Sequence, residues 1–350
     1  MNSAAIAGRA APLEAAVAEA ARILGASRCA VLGGMATDAA GAAAAVALAR
    51  RIGGVIDHRH SVALLRDLDV MRTAGWMVTT PTQARARADL ALLVGAGATW
   101  PGVEAEPVLP PGAGAARRVI RLGPGREAPP PGANTITAGA EELLGLLGAL
   151  RATVAGRPVR LPAARLRVLT GLAESLRAAR YGVISWSAGA LDGLAIEMLC
   201  GLIDDLNAHT RFAGLPLPPP GNAAGVAQSL GWLTGFPVRV GFGRGKMEHD
   251  TWWLDATRMI AAREADAALW LDAIDGTVPD WTLPLIALVA PGAHFARSPA
   301  VAITVGRPGI DHDAVIFDRA LGVLVARSGS AAAAPAAAAV LGSILAALPC

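Results

Sequence analysis

Cys29-Ala-Val-Leu-Gly-Gly34 is a short apolar run that stops at two glycines, and Gly53-Gly54-Val-Ile-Asp57 is a second one. Between them lies an alanine-rich stretch to about Arg51, with Asp38 placed to cap its start. A buried strand, a helix and a second strand joined by short connections form a β-α-β unit, the building block of a parallel sheet. Outward from this unit, Leu13, Val17, Ala20 and Leu24 line one face of a helix over 12–24. Ala88-Asp-Leu-Ala-Leu-Leu-Val-Gly-Ala-Gly97 reads as a strong strand, followed by Pro- and Gly-rich sequence from Pro101 to Gly114. Val119-Ile-Arg-Leu122 gives another strand, and a helix covers about 139–150. After Gly156 and Pro158 a second α/β run begins, with strands near 181–187, 237–242, 266–274, 284–290 and 300–305. Its helices lie near 163–179, 191–208, 223–234 and 251–263. Two short strands at 314–317 and 322–326 and a helix over about 336–348 end the chain. The fold class is α/β.

Composition removes several classes. The 350 residues carry 31 Lys+Arg against 28 Asp+Glu, a net charge of +3, with 53% hydrophobic residues. Mean hydropathy is +0.45. Disorder needs the opposite balance of low hydrophobicity and high net charge. Lys246 is the only lysine, and the arginines are scattered among 4% aromatics. A nucleic-acid surface would gather its cations on one face. Cys29, Cys200 and Cys350 have no metal-type spacing and do not make a disulfide framework. The first twenty residues include Arg9, Glu14 and Glu19, so no secretory leader is expected. The uncharged segment after Arg327 is mostly alanine and is interrupted by Pro335, so no membrane span is expected. The chain reads as cytoplasmic.

Candidate chemistry is sparse. Gly33-Gly34 with Asp57 on the next strand has the flavour of a dinucleotide turn, but the next glycine is Gly41, which breaks G-x-G-x-x-G. Gly95-Ala-Gly97 fails the same way at Trp100. Plain strand-to-helix turns explain both. His58 and His60 have the His-x-His spacing of a zinc pair at a strand end. Lys246, His249, His294 and Asp311 follow in an order reminiscent of zinc amidohydrolases, although the strand pattern is not that of an eightfold barrel. Hydrogen-bonded or surface histidines are the alternative. Ser187 lacks the glycine framing of a nucleophile elbow. Asp204-Asp205 and Asp311/Asp313 read as solvated acids, and Trp252-Trp253 as core or interface.

The order of segments is more specific than any motif. Cys29–Asp57, then Ser61-Val62-Ala63, then Ala88–Gly95, with Arg263-Glu-Ala-Asp-Ala-Ala-Leu-Trp270 and Val305-Gly-Arg-Pro-Gly-Ile-Asp311 further on, resembles the molybdopterin oxidoreductase family. Within it the likeness is to the B subunit of formylmethanofuran dehydrogenase, over most of residues 20–326. That family opens with a cysteine cluster for a 4Fe–4S centre, whereas this chain has only three cysteines. It places a Cys or selenocysteine metal ligand where this chain has Ala63, and Asn-Pro where this chain has Trp100-Pro101. The resemblance therefore implies that the redox apparatus is deleted: no catalytic, cofactor-binding or metal residue, and no cofactor. A chain of that kind is similar to one found in the formyltransferase/hydrolase complex of methylotrophic bacteria. The implied partners are a formyltransferase subunit, a zinc amidohydrolase-like subunit and a small third subunit in a hetero-oligomer. The implied reaction moves formyl from formyl-tetrahydromethanopterin to a methanofuran-type carrier and then to formate, with a structural role for this chain. A molybdopterin- or nucleotide-binding oxidoreductase and a zinc-dependent hydrolase are the alternatives.

The family fold is two Rossmann-like lobes with mostly parallel sheets, one inserted into the other. On that basis residues 1–65 and 151–330 are expected to form a discontinuous α/β lobe, 66–150 an inserted smaller lobe, and 331–350 a C-terminal Ala-rich helix. The stripe Val340, Leu341, Ile344, Leu345 and Leu348 faces away from an uncharged small-residue side, so the helix is expected to pack on both sides, against the chain's own sheet and against a partner subunit.

Overall fold

Strands that read as unbroken apolar runs are those covered on both faces by helices, which is the condition of a parallel sheet. In the computed structural model Ala30–Ala36, Ala267–Asp272 and Leu285–Val289 are buried at every residue. The structure describes residues 4–95, 99–100, 103–109, 117–124, 133–330 and 334–349. Gly97, Pro101 and half of the 101–114 stretch, together with Cys350, lie outside the described residues. The chain divides into two compact units.

The first unit comprises Met1–Ser61, Gly221–Asp318 and Val323–Cys350. Five parallel strands form the middle of its sheet, in the order Val55–Ile56, Ala30–Ala36, Ala267–Asp272, Leu285–Val289 and Val301–Thr304. In chain order that is second, first, third, fourth, fifth, a doubly wound arrangement whose order reverses between Ala30–Ala36 and Ala267–Asp272. Antiparallel strands extend both edges: Val240–Gly241 and Glu248–His249 on one side, Ala4–Ile6 and Arg9–Ala10 on the other. The helix Ala39–Ile52 starts where Asp38 accepts the Gly41 N–H at 2.9 Å and stops at Gly53 in the left-handed region. Its small residues let the C-terminal helix Ala337–Ala347 approach closely.

That C-terminal helix is part of this unit. Val340, Leu341 and Ile344 are buried against the chain's own helices Leu13–Ala26 and Ala39–Ile52, while Gly342, Ser343, Ala346 and Ala347 face out. The apolar stripe packs within the chain, against two alanine-rich helices that would otherwise be uncovered, and the small-residue side expected to meet a partner stays exposed.

The second unit is Val62–Pro220 with Arg319–Gly322. Its main sheet has five strands, all parallel, in the order Phe212–Pro216, Gly182–Trp186, Leu90–Val94, Arg118–Gly123, Asn134–Thr137. Separately, Thr99–Trp100 pairs antiparallel with Val103–Pro107. Two Rossmann-like α/β units, the second inserted into the first, therefore stand as expected. The inserted unit does not end near 150, however. Gly182–Trp186 pairs with Leu90–Val94 residue for residue, Gly182 opposite Leu90 through Trp186 opposite Val94. Gly156 and Pro158 mark only the loop between the helices Ala140–Val154 and Ala163–Arg177. A turn between helices and a linker between domains use the same residues, so composition does not separate them.

Candidate functional site

In doubly wound sheets ligands sit outside the carboxyl ends of the strands where the order reverses. In the first unit that place is bordered by the ends of Ala30–Ala36 and Ala267–Asp272. The chain fills it with its own side chains. Asp272 is fully buried; one carboxylate oxygen accepts the N–H groups of Ile274, Asp275 and Gly276 at 3.2, 2.9 and 3.2 Å. The other accepts the Thr277 N–H at 3.2 Å and its hydroxyl at 2.5 Å. The Arg59 guanidinium closes on Asp272, Thr277 Oγ1 and Asp275, with its side chain 11% exposed. Gly221, with φ +69°, lies so close that a Cβ there would stand 2.9 Å from Arg59 Nη2.

The glycines expected in a turn lie inside the strand. Gly34 and Met35 have φ of +77° and +54°, and the register against Ala267–Asp272 slips by one residue beside them, so this is a β-bulge. A Cβ on Gly34 would sit 2.7 Å from the Leu271 carbonyl and 2.9 Å from the Trp270 ring; one on Gly33 would sit 2.9 Å from Trp281. The two indoles meet edge-on, with ring centres 5.1 Å apart. Glycine is required here by tryptophan packing, not by a phosphate.

The histidine pair does not form a metal site. The His60 N–H points at His58 Nδ1, 3.0 Å away, so Nδ1 accepts and Nε2 carries the proton, donating to the Gly221 carbonyl at 3.1 Å. Both ring nitrogens are used, and burial pushes the imidazole down to about 3. Beside it Asp57 accepts the Ala256 N–H at 3.0 Å, at the start of the helix Ala256–Ala261. Burial raises its carboxyl to about 6; the Ala256 hydrogen bond and Arg239 offset only part of that. Arg239, itself at φ +53°, ties Ser61 Oγ (3.1 Å), Asp255 (2.5 Å) and the Thr251 carbonyl together.

The remaining candidates are dispersed. Lys246 pairs with Glu248 at 3.3 Å, His249 bonds the Val238 carbonyl at 2.8 Å and stacks on Phe236, and Asp311 is held by Arg307. Asp205 pairs with Arg151, and Asp313 accepts the Gly329 N–H. Among the described residues no three His, Cys, Asp or Glu side chains gather as a metal site. Trp252 and Trp253 are more than 60% exposed, their N–H groups held by Asp250, so they are not core. Cys200 is buried, its thiol pushed up to about 11 by burial.

In the second unit the order reverses between Leu90–Val94 and Gly182–Trp186. Leu191 closes over Gly95, where a Cβ would stand 2.7 Å from its Cδ2. Asp67, raised to about 6 by burial, accepts the Trp186 indole N–H at 2.9 Å, and Arg66 binds the Ala188 and Leu191 carbonyls. Ala63 lies in the helix Ser61–Ala74, partly buried against this unit's core, and acts as a packing residue.

A scan against protein-family models finds no match. The B subunit of the formyltransferase/hydrolase complex Fhc from Methylorubrum extorquens is 37% identical over 330 residues, covering 91% of this chain and 88% of the relative. A crystal structure of the FhcABCD complex from the same species, in complex with methylofuran, contains a chain that superimposes with a TM-score of 0.85 at 36% identity, covering 98% of both chains. The B subunit of the tungsten-containing formylmethanofuran dehydrogenase 2 of Methanocaldococcus jannaschii is 34% identical over 74 residues, 21% of this chain. A tungsten or molybdenum pterin cofactor does not fit the residues present. An alanine methyl is no ligand, and the crevices at both strand-order reversals are lined by Arg59 with Asp272 and by Leu191.

Proposed function

Since this chain belongs to the family of the B subunit of the formyltransferase/hydrolase complex, we propose that it is a non-catalytic structural component of such a complex. Its partners are a formyltransferase subunit, a zinc amidohydrolase-like subunit and a small third subunit in a cytoplasmic hetero-oligomer. The assembly moves a formyl group from formyl-tetrahydromethanopterin to a methanofuran-type carrier and hydrolyses it to formate on the partner subunits. The observation that carries a structural role for this chain is the Arg59–Asp272 ion pair, built where a Rossmann-like sheet would receive a nucleotide. Among the described residues no helix is long and apolar enough to cross a membrane. An oxidoreductase would need that crevice for its cofactor. Co-expression of the tagged chain with the three partner types, followed by mass spectrometry of what copurifies, tests the reading. Recovery of all three at fixed stoichiometry supports it, and a chain that purifies alone overturns it.

A further inference from the structure

The strand Asn134–Thr137 is the terminal strand of the second unit's sheet, and among the described residues no strand pairs with its outer side. Along a strand in a parallel sheet, the N–H and C=O of one residue point to one side and those of the next residue to the other. The Ala138 N–H bonds the Gly123 carbonyl on the inner neighbour at 3.1 Å, so Asn134 and Ile136 also face inward while Thr135 and Thr137 face out. Arg165 confirms the direction by donating to the Thr137 carbonyl at 2.9 Å. The outward N–H and C=O of Thr135 are left for a partner, and its hydroxyl oxygen is buried without a hydrogen bond.

Between this strand and the helix Ala163–Arg177 runs a groove of 570 Å³. Val168, 43% exposed, and Leu172 give it an apolar wall, and Gly171 leaves room, with nothing within 4 Å of where a Cβ would stand. Exposed Arg167 lines it, beside Arg165, whose guanidinium already meets the Glu142 carboxylate at 3.0 Å, and among the described residues no acidic side chain lines the groove itself. Free backbone donors and acceptors, an apolar wall and positive charge together match one kind of occupant. We infer that the groove takes an extended acidic segment of a partner subunit as a sixth strand of this sheet. The main chain pairs with Thr135, and a carboxylate of the segment meets Arg167. This inference rests on the proposed membership in a hetero-oligomer.

The test uses the full chain and the assembled complex. Hydrogen exchange by mass spectrometry should show the amides of 133–138 exchanging at least about tenfold more slowly in the complex than in the chain alone. Thr135→Pro removes only an outward N–H, which an edge strand tolerates. Gly171→Leu fills the groove while improving helix propensity. Each should retain the melting temperature of the chain yet hold partners at least about tenfold more weakly, and Arg167→Glu should weaken them in the same direction. A photo-crosslinker at Val168 should capture an acidic stretch of a partner subunit. A chain that recruits no partner even as wild type overturns both the functional reading and this inference. An intact complex with unprotected 133–138 amides, or with a second copy of this chain crosslinked at Val168, overturns the inference alone.

Discussion

Arg59 and Asp272 stand 213 residues apart in the chain and end as one buried pair. Because the Asp272 side chain is fully buried, removing its partner leaves a charge away from water, which costs far more than the pair itself contributes. Arg59→Ala should therefore destabilise the chain by about 3–5 kcal/mol in chemical denaturation, and a loss under about 1 kcal/mol would show the pair to be dispensable. His58 supplies a pH dependence. Its folded-state pKa of about 3 lies below the ordinary 6.5, so the unfolded chain takes up a proton first as pH falls. The resulting stability is present above pH 6.5 and is lost progressively between 6.5 and 3. Asp57 and Asp67 act oppositely: raised to about 6, they favour the folded state at acid pH and lose that contribution as pH rises through 6. Measured against His58→Asn, which keeps an acceptor for the His60 N–H, the wild type should lose about 1.4 kcal/mol more per pH unit between pH 6 and 4. Parallel stability curves for the two proteins would contradict a buried neutral His58.

Elements differ in how far their own sequence explains them. Leu90-Ala-Leu-Leu-Val94 is readable because every side chain is apolar and every one is buried. Phe212-Ala-Gly-Leu-Pro216, two strands away in the same sheet, is not readable: glycine and proline argue against a strand. Its reason is tertiary, since a Cβ on Gly214 would stand 2.7 Å from the Trp186 ring, and Gly182 in turn makes room for the Phe212 ring. The helix Pro81–Arg87, by contrast, carries a legible start in Thr80, which accepts the Gln83 N–H, followed by proline at the first position. The doubly wound frame was legible from apolar runs, whereas the sealing of its crevice depends on Asp272, Asp275 and Thr277 meeting Arg59 from far along the chain. The bulge gives an element-scale test. Gly34→Ala adds a methyl against the Leu271 carbonyl at a left-handed φ, so it should destabilise by more than about 1 kcal/mol, and an unchanged melting curve would mean the bulge is not held. Leu341→Ala in the C-terminal helix should cost about 2–5 kcal/mol, measured on the chain alone. Truncation after Arg327 should accordingly unfold the first unit instead of merely releasing a partner.

At the scale of the molecule, the chain keeps a fold suited to holding nucleotides, and among the described residues both of its order-reversal crevices are lined by its own packed side chains. Three of its eight tryptophans, Trp232, Trp252 and Trp253, are 75%, 65% and 62% exposed, large apolar side chains better suited to burial in an assembly than to solvent. The alanine at position 63, the cysteine count and the buried Arg59–Asp272 pair all support the proposed structural role. Elemental analysis of the purified assembly, for molybdenum, tungsten and iron, tests this most directly. A structural role predicts none of the three at a stoichiometric level while formyl transfer and formate release proceed on the partner subunits. One molybdenum or tungsten per copy of this chain would contradict it.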